Sequence, residues 1–353
     1  MSLTEELATR IAASGPITVA EFMTAALLHP EHGYYATRDP LGTDGDFITS
    51  PEISQMFGEV IGLSLAQSWL DQGSPSPFTL AELGPGRGTL MADILRATTR
   101  VPGFHESAQI VLIEASPVLK AKQAETLATY DPTWRGSVTD LPDEPLWLVA
   151  NEFFDALPVR QFQRDGAGWR ERCVGLLDDT LAFGLSSVGP QPALDHRLED
   201  TKDGDLVEWN APASAIVTEI GARISERGGA ALIVDYGDWR SLGDTLQALR
   251  GHAPAEPLDA PGAADLTTHV DFEALSVAAG PAKFTKVTPQ GVFLERLGIT
   301  ERAQALATGL EGAALEGHIA AHRRLTHPDE MGNLFKVLGL YPSTASPPPG
   351  LEP

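Results

Sequence analysis

The run Glu82-Leu83-Gly84-Pro85-Gly86-Arg87-Gly88 holds three glycines at alternate positions, with a carboxylate two residues before the first. A short apolar stretch at 78–83 leads into it, and a helical pattern follows at 88–98. Glycine tolerates positive φ and presents no Cβ to a ligand that approaches the backbone. An acid just ahead of such a loop is suited to the ammonium at a ligand's amino-acid end, which is the pattern of a loop for S-adenosylmethionine. The competing pattern is the dinucleotide loop GxGxxG, whose third glycine packs helix against sheet and frees the helix N-terminus for pyrophosphate. Here that position is Thr89, and the third glycine falls one residue early at Gly88. The loop therefore reads as a S-adenosylmethionine site on Glu82, Gly84, Gly86 and Gly88, ahead of a nicotinamide site.

Glu114 ends the apolar run Ile110-Val111-Leu112-Ile113. In an open parallel sheet, ligands lie beyond the carboxyl ends of the strands. Glu114 is thus expected to accept the two ribose hydroxyls of the cofactor. Asp140, near the end of the next strand–helix unit, is a candidate partner for the adenine amine. A third cluster, Asn151-Glu152-Phe153-Phe154-Asp155-Ala156-Leu157-Pro158, follows an apolar stretch at 145–150. It brings one amide, two acids and two aromatic rings to the same edge. Carboxylates there suit a cationic acceptor, and the planar five-donor fork of a guanidinium suits bidentate recognition. The phenyl rings can shield or stack on that cation. Asn151, Glu152 and Asp155 are the candidate catalytic group, with the direction of Asp155 left open; the competing reading is a capped turn with two core aromatics.

Alternating strand and helix patterns must carry these residues. Strands are expected at 78–83, 110–114, 145–150, 230–236, 283–288 and 333–340. Helices are expected near 88–98, 117–129, 212–227, 240–250 and 271–279, with more between 300 and 325. This alternation predicts an α/β fold with a parallel sheet covered by helices on both faces. Three short strand patterns joined by Asp-Gly and Asp-Asp turns interrupt it at 159–187, as an inserted β-meander. Ahead of the core, residues 1–76 read as a helical segment. Thr18 with Glu21 forms a capping-box pattern, and Ser50-Pro51 opens a helix whose apolar residues recur at intervals of three and four. The core extends over 77–340, and the Pro- and Ser-rich end at 341–353 is expected to be disordered.

The 353 residues, 42% of them apolar, suffice for a sizeable core. The net charge of −23 repels phosphate backbones, and no basic patch offsets it, which argues against nucleic acid as partner. No apolar run approaches the length of a membrane span. The single cysteine excludes an intramolecular disulfide and a multi-cysteine zinc site, and no metal is expected. With an acidic opening segment that lacks a leader pattern, a cytoplasmic protein is expected.

Several blocks together resemble the MidA family of S-adenosylmethionine-dependent methyltransferases. They are Gly33-Tyr34-Tyr35, Gly45-Asp46-Phe47-Ile48-Thr49-Ser50-Pro51-Glu52, the glycine loop through Leu90, and the cluster from Asn151 to Pro158. Asp235-Tyr236-Gly237, Gly243-Asp244-Thr245-Leu246-Gln247, Asp265-Leu266-Thr267-Thr268-His269-Val270-Asp271-Phe272 and Gln290-Gly291-Val292-Phe293-Leu294 continue it to about residue 340. The resemblance implies a Rossmann-like seven-stranded sheet whose last strand, at 333–340, inserts antiparallel. It implies that the loop at 45–52, through Asp46 and Thr49, closes over the cofactor, and that His269 and Asp271 belong to the site. Its mitochondrial members are protein arginine methyltransferases that assist assembly of respiratory complex I. The expected reaction is methyl transfer to an arginine of a protein, with a complex I subunit as the implied client and His269 or Asp235 as proton acceptor. A small-molecule N- or O-methyltransferase and a non-catalytic cofactor-binding assembly factor are the alternatives; the oligomeric state is open.

Overall fold

The computed structural model describes residues 1–37 and 49–353. Two capping boxes start its helices. The Ser2 hydroxyl accepts from the Glu5 amide while the Glu5 carboxylate accepts from the Ser2 amide, opening α1 (Leu3–Ser14). Thr18 and Glu21 repeat the arrangement at α2 (Val19–Leu28), as their spacing predicts. The helix expected from Ser50 is divided in two. Ser54 adopts an extended backbone and its hydroxyl accepts from the Met56 amide, so α3 (Ser50–Ile53) ends before α4 (Gln55–Asp71) begins. A serine that bonds the local backbone competes with helix continuation.

The central sheet contains β1 (Phe78–Leu83), β2 (Ala108–Ile113), β3 (Thr133–Arg135), β4 (Leu146–Asn151), β5 (Gly229–Asp238), β6 (Lys283–Phe284) and β7 (Phe335–Tyr341). Their order is β6-β7-β5-β4-β1-β2-β3, with two further short strands, Val270–Asp271 and Thr288–Pro289, at the sides of β5 and β7. Strands β1 to β5 pair in parallel, and β7 runs antiparallel beside β5 with Val234 opposite Val337. This is the sheet that the resemblance implies. Strands buried on both faces alternate between two cores. Trp147 and Val149 join α4 and α5 (Thr89–Thr98), whereas Leu146, Leu148 and Ala150 join α7 (Ala211–Arg227) on the far side. α6 (Pro117–Thr126) follows β2, and α8 (Phe272–Ala278), α9 (Gln290–Arg296) and α10 (Gly312–Thr326) complete the C-terminal half. The strand order reverses between β1 and β4, which is where open α/β sheets form their ligand crevice.

The insert forms the strands Arg160–Asp165, Gly168–Leu177 and Thr180–Leu185, extended by Leu206–Trp209. Ile17 and Thr18 pair with Val174 and Cys173, so the N-terminal segment and the insert share one sheet. Phe22, Met23, Val159, Val174 and Leu266 bury together beneath it.

Three expectations are corrected. The helix placed at 240–250 is instead a strand, Gln247–Arg250, in a hairpin with Ala253–Ala255. Gly251 and His252 both take positive φ, which is the two-residue hairpin turn, and the pairing overrides the helical spacing. The strand at 283–288 is broken into two-residue pieces, because Thr285 turns its hydroxyl to accept from the Gly339 amide. The C-terminal tail is packed, not disordered. Leu351 is buried in the core over β7, the Ser64 hydroxyl donates to Pro349 O at 2.9 Å, and the Lys286 amide donates to Glu352 O at 2.9 Å. One buried leucine anchors a tail whose composition alone reads as disorder. No helix among the described residues is long and apolar enough to cross a membrane.

Leu351→Ala removes that anchor and should lower stability by about 2 kcal/mol or more. Denaturant unfolding measures the loss; an unchanged midpoint would show that the tail contributes nothing to the core.

Candidate active site

A cavity of about 1010 Å³ opens at the carboxyl ends of β1, β2 and β4. Glu82, Gly84, Gly86, Glu114, Ser137 and Val138 line one part; Asn151, Glu152, Asp155, Tyr236, Asp265 and His269 line another.

The glycine loop takes positive φ at Gly84, Gly86 and Gly88, a conformation that side chains resist. A Cβ on Gly84 would stand 2.8 Å from a ring carbon of Phe153, so the missing side chain makes room for that phenyl ring. Gly88 does not line the cavity. It stands at the N-cap of α5 with left-handed φ, beside Gln123 and Leu127. Burial pushes the Glu82 carboxyl up to about 8, a hydrogen bond from the Met91 amide partly offsets this, and the charge of Glu114 adds to it. Glu82 Oε2 is buried with no hydrogen-bond partner among the described residues. A buried acceptor without a donor is costly unless a ligand supplies one.

Glu114 is fixed from two sides. Its Oε1 accepts from the Ser116 amide at 2.8 Å and its Oε2 from Gln123 Nε2 at 3.0 Å, while burial still raises its pKa. The same Gln123 amide donates to Gly86 O at 2.8 Å, and its Oε1 accepts from Trp134 Nε1 at 2.8 Å. Gln123 therefore ties Glu114 to the glycine loop. Nothing in its helical pattern separates it from a surface glutamine. Asp140 lies exposed in the short helix Val138–Asp140 and outside the cavity wall, so it is not brought to the site; Ser137 and Val138 stand there instead.

At the end of β4 the chain is bent by Asp235. Its Oδ2 accepts from the amides of Phe153 (3.2 Å), Phe154 (2.9 Å) and Asp155 (3.3 Å), and its Oδ1 from the Tyr236 amide (3.0 Å). Within this turn Glu152 holds φ +51, a region that non-glycine residues rarely occupy, and such strain clusters at functional sites. Glu152 Oε1 accepts from the Ser50 amide at 2.9 Å and from Asn151 Nδ2 at 3.0 Å. Burial raises its pKa, and these donors and the charge of Arg324 lower it again. Asp155 is buried, its pKa driven well up by burial and then by the charges of Asp235, Asp265 and Glu152. Asp155 Oδ1 and Asn151 Oδ1 both lack partners among the described residues. Asp235 does not line the cavity and spends both oxygens on backbone amides, so it does not serve as the proton acceptor.

His269 lines the cavity with its ring edge-on to Tyr236 (5.4 Å between centroids) and its Nε2 3.2 Å from Gln247 Nε2. Burial and then Lys336 lower its pKa, which favours the neutral imidazole. Asp271 is the N-cap of α8 and stays outside the cavity. Tyr35 and Asp265, not identified from sequence as site residues, pair at 2.9 Å through the tyrosine hydroxyl. Thr49 lines the cavity, and Thr89 donates to Glu52 at 2.5 Å, which links α3 to the first residue of α5. Asp46 lies outside the described residues.

The sheet, its antiparallel last strand and the acid-led glycine loop define a S-adenosylmethionine-dependent methyltransferase. The chain belongs to the family Methyltransf_28 of such enzymes, whose pattern matches residues 60–290. It is 40% identical to "Protein arginine methyltransferase NDUFAF7, mitochondrial" of Danio rerio, over 96% of this chain and 86% of that protein. The Homo sapiens protein of the same name is 38% identical, over 94% of this chain and 82% of its own length. A crystal structure from Burkholderia thailandensis bound to S-adenosyl-homocysteine superposes with a TM-score of 0.80 at 28% identity, covering 96% of this chain and 91% of the other. The cytoplasmic expectation is corrected here, since these relatives are named mitochondrial.

The site fits S-adenosylmethionine: Glu82 Oε2 awaits a donor, and Glu114 presents a fixed carboxylate. Free Glu82 holds its proton up to about pH 8, and an ammonium beside it favours the carboxylate, so binding releases that proton. Affinity for S-adenosylhomocysteine should climb from about pH 6 to about pH 8, by at most about tenfold per unit, then level off. Glu82→Gln should flatten the slope. Calorimetry across pH and in buffers of different ionisation enthalpy reads both; a flat wild-type profile contradicts the assignment.

Proposed function

We propose that the chain methylates an arginine side chain of a protein, with Glu152 and Asp155 gripping the guanidinium. The observation that carries this reading is the unpartnered, buried Asp155 Oδ1, which lines the cavity together with Glu152 and the free oxygen of Asn151. A planar cation with five donors satisfies more such acceptors at once than the three donors of an ammonium or the one of a phenol. The relatives named as protein arginine methyltransferases support a protein client. So do Leu28 and Leu334, half-exposed leucines on the cavity wall that suit an apolar peptide segment. The family resemblance points to a respiratory complex I subunit as that client.

The cofactor supplies an electrophilic methyl group on a sulfonium. For this chain's part, Glu82 would take the cofactor's ammonium, Glu114 its ribose hydroxyls, and the loop through Gly84 and Gly86 would lie along it, with Thr49 contributing from α3. Glu152, whose carboxylate form the Ser50 amide and Asn151 favour against the larger rise from burial, ionises beside the arriving cation, concentrates the guanidinium charge on one nitrogen and leaves another free to attack. Asp155 ionises as the cation arrives and completes the grip. Alignment of this kind contributes about 7–11 kcal/mol in favourable cases. The methylated guanidinium is more acidic while the bond forms, and neutral His269 is the candidate that accepts its proton.

Purified protein, radiolabelled S-adenosylmethionine and an extract of cells lacking the protein should yield label in methylarginine after acid hydrolysis. Glu152→Gln should lower that transfer about 100-fold or more and leave S-adenosylhomocysteine affinity within about threefold. Label confined to small molecules would overturn the protein-arginine reading; equal loss of transfer and affinity would overturn the role of Glu152.

A further inference from the structure

Arg324 stands in the last turn of α10 and lines the same cavity as Glu152. Its neighbour Arg323 pairs with Glu330 at 2.8 Å. Arg324 itself forms no hydrogen bond or ion pair among the described residues. Its charge nonetheless reaches Glu152, where it opposes part of the rise in pKa that burial causes. The backbone that carries it is fixed. Gln290 Nε2 donates to Leu325 O at 2.9 Å, and Gly332 approaches so closely that a Cβ there would lie 2.1 Å from Thr326 O. A guanidinium is therefore presented from a rigid helix end.

A cavity that receives a sulfonium, and by the reading above a second cation, is an unfavourable location for a third. Like charges at close range repel, and a wall that excludes water strengthens the repulsion. An arginine left unpaired there is accounted for by an anion that arrives with the reactants. S-adenosylmethionine carries one, the α-carboxylate, bonded to the same carbon as the ammonium assigned to Glu82. The end of α10 packs on α3, and Glu52 of α3 accepts from Thr89, directly after the glycine loop. Arg324 thus shares the cavity wall with Glu82 and the glycine loop, on a helix linked to that loop through α3.

We propose that Arg324 binds the α-carboxylate of the cofactor. The methionine end is then held by opposite charges, Glu82 on its ammonium and Arg324 on its carboxylate. Arginine is suited to this role because its fork meets a carboxylate through two parallel hydrogen bonds. The inference rests on the S-adenosylmethionine reading of the cavity and is independent of the acceptor.

The test compares S-adenosylhomocysteine with 5′-methylthioadenosine, which keeps the adenosine and the sulfur but lacks the amino acid. Calorimetric titration of the full chain should show Arg324→Gln weakening S-adenosylhomocysteine about tenfold or more, the order expected for a lost charge-assisted contact. Binding of 5′-methylthioadenosine should stay within about twofold, and Arg324→Lys should recover part of the loss. If the glutamine variant weakens both ligands equally, or neither, the carboxylate assignment is overturned. Failure of the wild type to bind S-adenosylhomocysteine would instead remove the cofactor reading itself.

Discussion

A single buried carboxylate shapes the acceptor end of this enzyme. Asp235 is wholly removed from water at the end of β5, and burial followed by the charge of Glu152 pushes it up to about 8. Four backbone amides converge on it, three of them from consecutive residues of the neighbouring segment. Three consecutive amides can point at one oxygen only if the chain curls tightly around it. That curl is what holds Glu152 in a left-handed conformation and turns Asp155 inward beneath it. The parallel pairing of β4 and β5, with Asn151 opposite Val234, brings the two strand ends close enough for this. Sheet register, turn shape and the orientation of the acidic pair thus form one chain of cause.

The two ends of the cavity are tied to each other by short links. Ser50 and Glu52 lie on one turn of α3; the Ser50 amide holds Glu152, and the Glu52 carboxylate holds Thr89. On the opposite side, Gln123 holds both the glycine loop and Glu114. Methyl transfer requires donor and acceptor to be aligned within a fraction of an ångström, and rigid elements deliver that better than free loops. The carboxylates pay for this arrangement in desolvation: burial raises the pKa of Glu82 and of Asp155 and favours their neutral forms. On the proposed reading, cationic reactants would reverse that preference, so that charge is created in the cavity only where it is matched.

Much of this could be read from residue order. The glycine loop, Glu114 and the Asn151–Asp155 cluster all lie at strand ends because apolar runs of strand length precede them, and the sheet topology brings strand ends together. The capping boxes at Ser2 and Thr18 need only local spacing. What could not be read depended on partners distant in sequence. Gln123, Asp235 and Arg324 owe their roles to residues 9 to more than 170 positions away, and no local pattern marks them. The strand at Gln247–Arg250 escaped because pairing, not propensity, decides it, and the tail escaped because one buried leucine outweighs a Pro- and Ser-rich composition.

The most direct test of this account is Asp235→Ala, which removes both acceptor oxygens from in front of the four amides. Methyl transfer to protein and S-adenosylhomocysteine affinity should be measured on the same folded preparation. The account predicts transfer reduced about 100-fold or more with affinity within about threefold, because the turn is lost while the glycine loop stands. Transfer that survives, or affinity that falls in step with it, would contradict the claim that the Asp235-bound turn builds an acceptor site separate from the cofactor cradle.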